Sequence, residues 1–305
     1  MQIITGTDFQ LDRDSAVTIG KFDGIHRGHQ ELLSLILKKK SEGLNATVFT
    51  FDQSPSEFFS GNRQPSLTTR DEKRNIFKHL GVDTLIEFPF NKETAATPPE
   101  DYINNILCKQ MRMKYIAAGD DLSFGHLGKG NTELVSNLSQ GRYETEFIDK
   151  IYIDGDLVSS TRIRELVAAG ELERAAKLIG VPYAVTGNVI HGKRLARKMG
   201  FPTANVLLSD EKLAPPFGVY FTEVSVGGKH YQGITNIGCK PTVTDSKQIY
   251  AETHLLDFID DLYGRFMTVK LLKFSRCEQK FASVSELEAR IKKDIEEGRE
   301  YFNEK

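Results

Sequence analysis

At Gly180-Val181-Pro182 the hydrophobic period of the chain changes, and one continuous core cannot serve both patterns. Before that point, from Ala16 to about Ile179, short apolar runs alternate with helical stretches, the order expected when parallel strands are joined by crossover helices. The strands expected are Ala16 to Ile19, Ala46 to Phe51, Thr84 to Phe88, Tyr115 to Ala118 and Glu144 to Ile148. Between and after them run helical segments, including Gln30 to Lys40, Asp71 to Leu80, Pro99 to Gln110, Arg162 to Ala169 and Leu172 to Ile179. Beyond Pro182 the pattern alternates residue by residue and glycines lie close together, which reads as mostly antiparallel β-structure. Strands are expected at Tyr183 to Ile190, Gly218 to Val226, Tyr231 to Asn236, Ile249 to Leu256 and Met267 to Phe274. A final helix places Val284, Leu287, Ile291 and Ile295 in one stripe that should dock on the sheet or barrel. With 305 residues, two domains of comparable size follow, residues 1–180 and 181–305.

Composition narrows the class. Lys and Arg total 40 against 42 for Asp and Glu, so a net charge of -2 supplies no general field for nucleic acid or anionic lipid. No apolar run approaches the ~20 residues of a membrane span, and the opening Met1-Gln2-Ile3-Ile4-Thr5 lacks the features of a signal peptide. A cytoplasmic location is expected. Cys108, Cys239 and Cys277 are far apart and form no CxxC, which fits a reducing compartment and core packing more than a disulfide framework or a structural zinc.

The segment Gly20-Lys21-Phe22-Asp23-Gly24-Ile25-His26-Arg27-Gly28-His29 ends the first expected strand and opens the first helix. Backbone N–H groups at a helix start favour anions, Gly24 and Gly28 allow close approach, and His26 and His29 can reach one phosphate. An H-x-x-H in an arbitrary setting is more often plain polar surface, but after the first strand of an α/β half it resembles the nucleotidyltransferase superfamily. The implied chemistry is ATP binding and attack on its α-phosphate. Val158-Ser159-Ser160-Thr161-Arg162-Ile163-Arg164 has hydroxyls at a helix start followed by guanidinium groups, suited to a triphosphate. Alone it would be an N-cap; beside the histidine pair it resembles the superfamily's second phosphate loop. Gly119-Asp120-Asp121-Leu122-Ser123-Phe124-Gly125 is either a glycine-rich turn or a flavin contact through Asp121 and Phe124.

In the second half, Gly192-Lys193-Arg194 and the bases up to Lys198 form a loop that reads as a solvated face or as an ATP contact. Thr203 and Asn205 offer two oxygen ligands on alternate residues, which suits Mg²⁺ sharing phosphate oxygens. Glu252 lies amid apolar residues on an expected strand, and a buried carboxylate needs a reason.

Gly200-Phe201-Pro202-Thr203-Ala204-Asn205, Pro216 to Tyr220, Asn236 to Thr242, Glu252 to Phe258 and Asp261 to Gly264 occur in the order of the riboflavin kinase family. Nearly the whole chain resembles the bifunctional riboflavin kinase/FAD synthetases, in which an FMN adenylyltransferase module is fused to that kinase. The resemblance implies a Rossmann-like adenylyltransferase followed by a six-stranded β-barrel kinase, with Mg²⁺, ATP, riboflavin, FMN and FAD as its ligands. It assigns Thr203 and Asn205 to magnesium and ATP, Glu252 to the catalytic base, His26 and His29 to adenylyl transfer, and Ser159, Ser160, Thr161 and Arg164 to the triphosphate.

Two departures stand out. Where the family usually has P-H-P, this chain has Asp52-Gln53-Ser54-Pro55, and Ala196 replaces a usual glycine in the kinase loop. Alternatives are a chain with one active site, or a flavin sensor without turnover. Retention of Glu252, His26, His29, Thr203 and Asn205 together argues against the sensor.

Overall fold

The parallel strands anticipated before Gly180 form one sheet, to which the amino terminus adds an edge strand. A computed structural model of the chain describes residues 1–191, 199–241 and 247–304. Contacts divide the chain into two units, Met1–Gln64 with Thr68–Ser159, and Pro65–Leu67 with Ser160–Lys305.

In the first unit, β1 (Gln2–Thr5), β2 (Ser15–Ile19), β3 (Asn45–Phe51), β4 (Thr84–Phe88), β5 (Met113–Gly119) and β6 (Glu144–Ile148) lie in the order β1-β4-β3-β2-β5-β6, all pairs parallel. Alternate residues feed two cores. Val17, Phe49, Ile86 and Ile116 pack on one face, and Ala16, Val48, Leu85 and Tyr115 on the other. Covering both faces explains why these strands read as unbroken apolar runs. β1 was not anticipated, because its residues are largely exposed at the sheet edge and carry no burial pattern. Helix α1 (Arg27–Lys38) follows β2, α2 (Arg70–Leu80) starts with a capping box formed by Thr69 and Glu72, and β7 (Tyr152–Ile153) pairs antiparallel with β8 (Asp156–Leu157) after the sheet. The strand order reverses between β2 and β5, the crevice where open α/β sheets bind ligands at their carboxyl ends.

The second unit is a closed antiparallel barrel of β9 (Ala184–Ile190), β10 (Ala204–Leu207), β11 (Gly218–Val226), β12 (Lys229–Pro241), β13 (Lys247–Leu255) and β14 (Phe266–Cys277). β10 is the strand that alternation alone did not reveal, since it is only four residues long. Inside the barrel Val206, Tyr220, Val224 and Val269 are buried, and Thr222, Thr235 and Thr253 link their hydroxyls in a chain with 2.9 Å steps. That chain satisfies three polar groups which burial would otherwise leave costly. Helices α3 (Ser160–Ala168) and α4 (Leu172–Ile179) belong to this unit, with α4 packed on β14.

Helix α5 (Val284–Asn303) lies on the barrel's outer face, where Phe221 meets Tyr301 and Phe302. The docking stripe differs from expectation at one end. Val284 is 60% exposed, whereas Asp294 and Gly298 are buried, so contact begins near Leu287 and continues to Phe302.

Candidate active site

In the first unit the loop from Gly20 to His26 leaves β2 at the sheet's carboxyl edge, and the loop carrying Asp121 and Phe124 leaves the neighbouring β5. His26 is the N-cap of α1, and its Nδ1 accepts from the backbone N–H of His29 at 3.4 Å. Its ring stacks on that of His29 with centroids 3.7 Å apart and planes 18° apart. Gly28 permits this arrangement, because a Cβ there would lie 3.3 Å from the His26 ring. The loop is sharply bent. Phe22, Gly24 and Ile25 have φ of 51°, 82° and 40°, an unfavourable conformation for the two side-chain-bearing residues.

The packing that holds this bend was not visible in sequence. Phe22 is wholly buried, edge-on to Phe77 of α2 at 5.5 Å and tilted against His29 at 4.9 Å. The buried Asp23 carboxylate accepts from the Thr68 N–H at 3.2 Å, and Gly24 N–H donates to the Thr68 hydroxyl at 3.1 Å. Two hydrogen bonds thus fasten the loop to the residue before the α2 cap.

Burial makes the histidines neutral. Desolvation lowers His26 to about 4, and holds His29 well below its ordinary value with help from the charges of His26 and Lys73. With Nδ1 of His26 accepting, its neutral form carries the proton on Nε2, leaving an N–H to offer a ligand. The pair therefore offers polarised N–H groups instead of two full charges.

Asp121 is exposed in the turn after β5, whereas Phe124 is buried against Tyr102 at 5.2 Å and so forms part of the wall behind that turn. The Asp52 to Pro55 segment takes a structural role: Ser54 and Glu57 build a capping box for the short helix Pro55–Ser60, and Asp52 accepts from the Phe90 N–H at 2.9 Å. Ser159 ends the first unit, while Ser160, the exposed Thr161 and the half-buried Arg164 stand at the start of α3 in the second.

In the barrel, strand register assembles residues that are distant in sequence. Asn205 of β10 pairs with Glu252 of β13, which pairs with Asn236 of β12; Asn236 pairs with Val219 of β11, which pairs with Arg276 of β14. Residues paired in this way face the same side, so Asn205, Glu252, Asn236 and Arg276 form a polar row across the outer face under α5. Glu252 is half-buried, not enclosed as its apolar neighbours suggested, because it opens onto a cleft of about 550 Å³ between the barrel and α5. Asn236, Arg276, Glu278, Phe281 and Ile291 also line that cleft.

A second cleft of about 380 Å³ is lined by Pro202, Asn205, Asp260, Asp261 and Tyr263. Thr203 borders both. Two substrates seated in these clefts would meet at Thr203, next to the pair formed by Asn205 and Glu252. The Asn205 amide donates to the Thr203 carbonyl at 3.3 Å, which orients its carboxamide. Thr203 and Asn205 offer neutral hard oxygens of the kind Mg²⁺ accepts when phosphates supply the rest of its shell. Among the described residues no group of three or more His, Cys, Asp or Glu is placed to hold a metal alone, so an ion here would lean on phosphate oxygens. Gly192, Lys193 and Ala196 lie outside the described residues.

The helix above the cleft is fixed by charge. Asp294 of α5 is 3% exposed and accepts from Arg276 Nε and Nη2 at 2.8 and 2.6 Å and from Arg290 Nε at 2.9 Å. Sequence gave the motif around Asn236 but no role for Arg276, Glu278 or Asp294, since only register and helix docking bring them to Glu252.

Comparison with known proteins agrees with this division. A family model described as FAD synthetase matches residues 8–162, and one described as riboflavin kinase matches residues 179–302. The bifunctional riboflavin kinase/FMN adenylyltransferase of Escherichia coli K12 is 38% identical over 94% of this chain and 92% of its own length. Those of Listeria monocytogenes and Bacillus subtilis are 34% and 33% identical over 97% and 95% of this chain, and over 95% and 93% of their own lengths. A crystal structure of a macrolide-efflux protein from Streptococcus pneumoniae is similar with a TM-score of 0.85 at 30% identity, covering 97% of this chain and 99% of that one. Efflux is that protein's name; among the described residues of this chain no helix is long and apolar enough to cross a membrane.

Proposed function

Since the chain belongs to the bifunctional riboflavin kinase/FMN adenylyltransferase family, we propose that Glu252, Thr203 and Asn205 serve the kinase reaction and that His26 and His29 serve adenylyl transfer. The protein phosphorylates riboflavin to FMN with one ATP and adenylylates FMN with a second, giving FAD and pyrophosphate. Residues 1–180 are read as the adenylyltransferase domain and residues 181–305 as the kinase domain, with α3 and α4 belonging to the first by sequence while packing in the barrel's unit.

In the kinase step the ribityl hydroxyl oxygen attacks the γ-phosphorus of ATP, its proton passes to Glu252, and ADP leaves. Riboflavin fits the larger cleft under α5 and ATP the smaller one, which brings hydroxyl and γ-phosphate together near Thr203. Mg²⁺ held by Thr203 and Asn205 would neutralise phosphate charge during transfer.

In the second step an oxygen of the FMN phosphate attacks the α-phosphorus of ATP, and the bond to the β-phosphate breaks. No base is needed, because a phosphate monoester with a second pKa near ~6 is already mostly dianionic at neutral pH. His26 and His29 donate N–H groups to the charge that builds on the phosphates. Gly24 and Gly28 admit the triphosphate to the backbone, and Ser159, Ser160, Thr161 and Arg164 contact it. Asp121 and Phe124 border the flavin, and Gly192 and Lys193 contact the kinase ATP.

The observation that carries this reading is the in-register row of Asn205, Glu252 and Asn236 between two clefts that share Thr203. Incubating the purified protein with riboflavin, ATP and Mg²⁺ and separating the flavins tests it. FMN followed by FAD is expected; FMN alone would remove the adenylyl-transfer role from the first unit, and neither product would refute both assignments.

A further inference from the structure

Lys73 is placed where burial and the helix dipole both act against a cation. It sits four residues after the Thr69 cap of α2, in the helix's first turns, where a cation opposes the helix dipole. It is half-buried, and among the described residues its ammonium makes no hydrogen bond or ion pair. The nearby carboxylates are already engaged: Glu87 receives Arg70 and Arg74, and Asp23 accepts from the Thr68 N–H.

Its location is set by packing. Lys73 and Phe77 are one turn apart on the same face of α2, and Phe77 contacts Phe22, which contacts His29. Thr68, fastened to Asp23 and Gly24, fixes the start of α2 against the same loop. The charge of Lys73 is felt at His29, whose Nδ1 is buried without a hydrogen-bond partner. α2 thus carries a partnerless ammonium on the face that packs, through Phe77 and Phe22, against a histidine whose Nδ1 also lacks a partner.

We propose that Lys73 is a further phosphate-contact residue of the adenylyl-transfer site, its ammonium donating to a phosphate oxygen beside His29. This rests on the assignment of His26 and His29 to that reaction. Burial also pulls Lys73 below its ordinary pKa, with Lys21 and Arg70 acting the same way against Asp23 and Glu87, and the charge of Lys73 in turn lowers His29. Phosphate contact by the charged form would therefore weaken at alkaline pH.

The test uses the full chain with FMN, ATP and Mg²⁺ supplied. Lys73→Met is expected to slow FAD formation by ~10²-fold or more, in the range for a lost electrostatic contact to developing charge, with riboflavin phosphorylation unchanged. Its thermal unfolding midpoint should stay the same or rise, because a buried cation opposing a dipole has gone. Lys73→Arg should recover part of the rate and keep it to higher pH than the parent. A raised KM for ATP assigns the contact to the triphosphate, and a raised KM for FMN assigns it to the monophosphate. Parental FAD formation by Lys73→Met overturns the proposal, as does a lowered midpoint with Lys73→Arg no better than Lys73→Met. Parental FAD formation by both His26→Ala and His29→Ala would instead overturn the underlying assignment.

Discussion

The two regions proposed to handle phosphate are built on opposite plans. In the first unit the proposed groups are neighbours in sequence: His26 and His29 are held by one bent loop and one helix start, and burial keeps them neutral. In the barrel Asn205, Glu252, Asn236 and Arg276 come from four strands and meet only through register, under a helix held by Asp294. A local site depends on backbone strain and burial, whereas an assembled one depends on long-range pairing. Perturbations should separate them accordingly.

The largest separation is chemical. Glu252→Gln keeps the side-chain volume and removes the proton acceptor, so riboflavin phosphorylation should fall by ~10²-fold or more while FMN adenylylation survives. His26→Ala or His29→Ala should do the reverse and let FMN accumulate, read by separating flavins after incubation with riboflavin, ATP and Mg²⁺. Loss of both activities in either variant would break the comparison.

Next comes the latch over the kinase cleft. Asp294→Ala leaves Arg276 and Arg290 without their shared buried carboxylate, and should cost about 2 kcal/mol, seen as a lower denaturation midpoint of the second unit. Because Arg276 and Ile291 line the larger cleft, the KM for riboflavin should rise with it. An unchanged riboflavin KM would mean that the helix does not shape that cleft.

The same contrast explains what could be read from sequence. Thr84–Phe88, Glu144–Ile148, Leu172–Ile179 and Gly218–Val226 were legible to the residue, and the H-x-G-H segment was legible as a helix start because His26, its N-cap, stands in the motif itself. Phe22 and Asp23 stand in that segment too, but their partners Phe77 and Thr68 are far along the chain. β10 escaped alternation for want of length, and Arg276 and Asp294 look like ordinary surface charges until the barrel closes and α5 docks.

Fragments sharpen the boundary. α4 packs on β14, and Gly170, between α3 and α4, approaches Pro216 and Phe274. A fragment beginning at Leu178 strips nearly all of that cover. We expect it to fold and make FMN but to melt below one beginning at Ser160; equal midpoints would show that the barrel does not use these helices.

Acid should act chiefly on the first unit. His26 is held at about 4 against 6.5 for an ordinary histidine, so the unfolded chain binds protons that the native loop does not. Stability from its neutral form is therefore present above pH 6.5 and lost as pH falls toward about 4. Replacing His26 with Gln should flatten that part of the curve of unfolding midpoint against pH, and an unaltered slope would place the protonation elsewhere.

The smallest expected effect isolates packing from stability. A Cβ on Gly298 would lie 2.3 Å from Ile234 Cδ1, while its next contacts, Ile234 Cγ1 and Phe221 Cδ1, are at an ordinary 3.5 Å. Only the end of one isoleucine has to turn away, at roughly 0.5–1.5 kcal/mol for a displaced rotamer. Gly298→Ala also gains about 1 kcal/mol of helix propensity in α5, so the two changes nearly cancel. Ile234 lines the larger cleft proposed for riboflavin, however, and its displaced methyl has no such compensation there. An unfolding free energy within about 1 kcal/mol of the parent, together with a several-fold change in riboflavin KM and none in FMN adenylylation, is the outcome expected of a site assembled by packing. A large loss of stability with an unchanged KM would instead make Gly298 a purely structural contact.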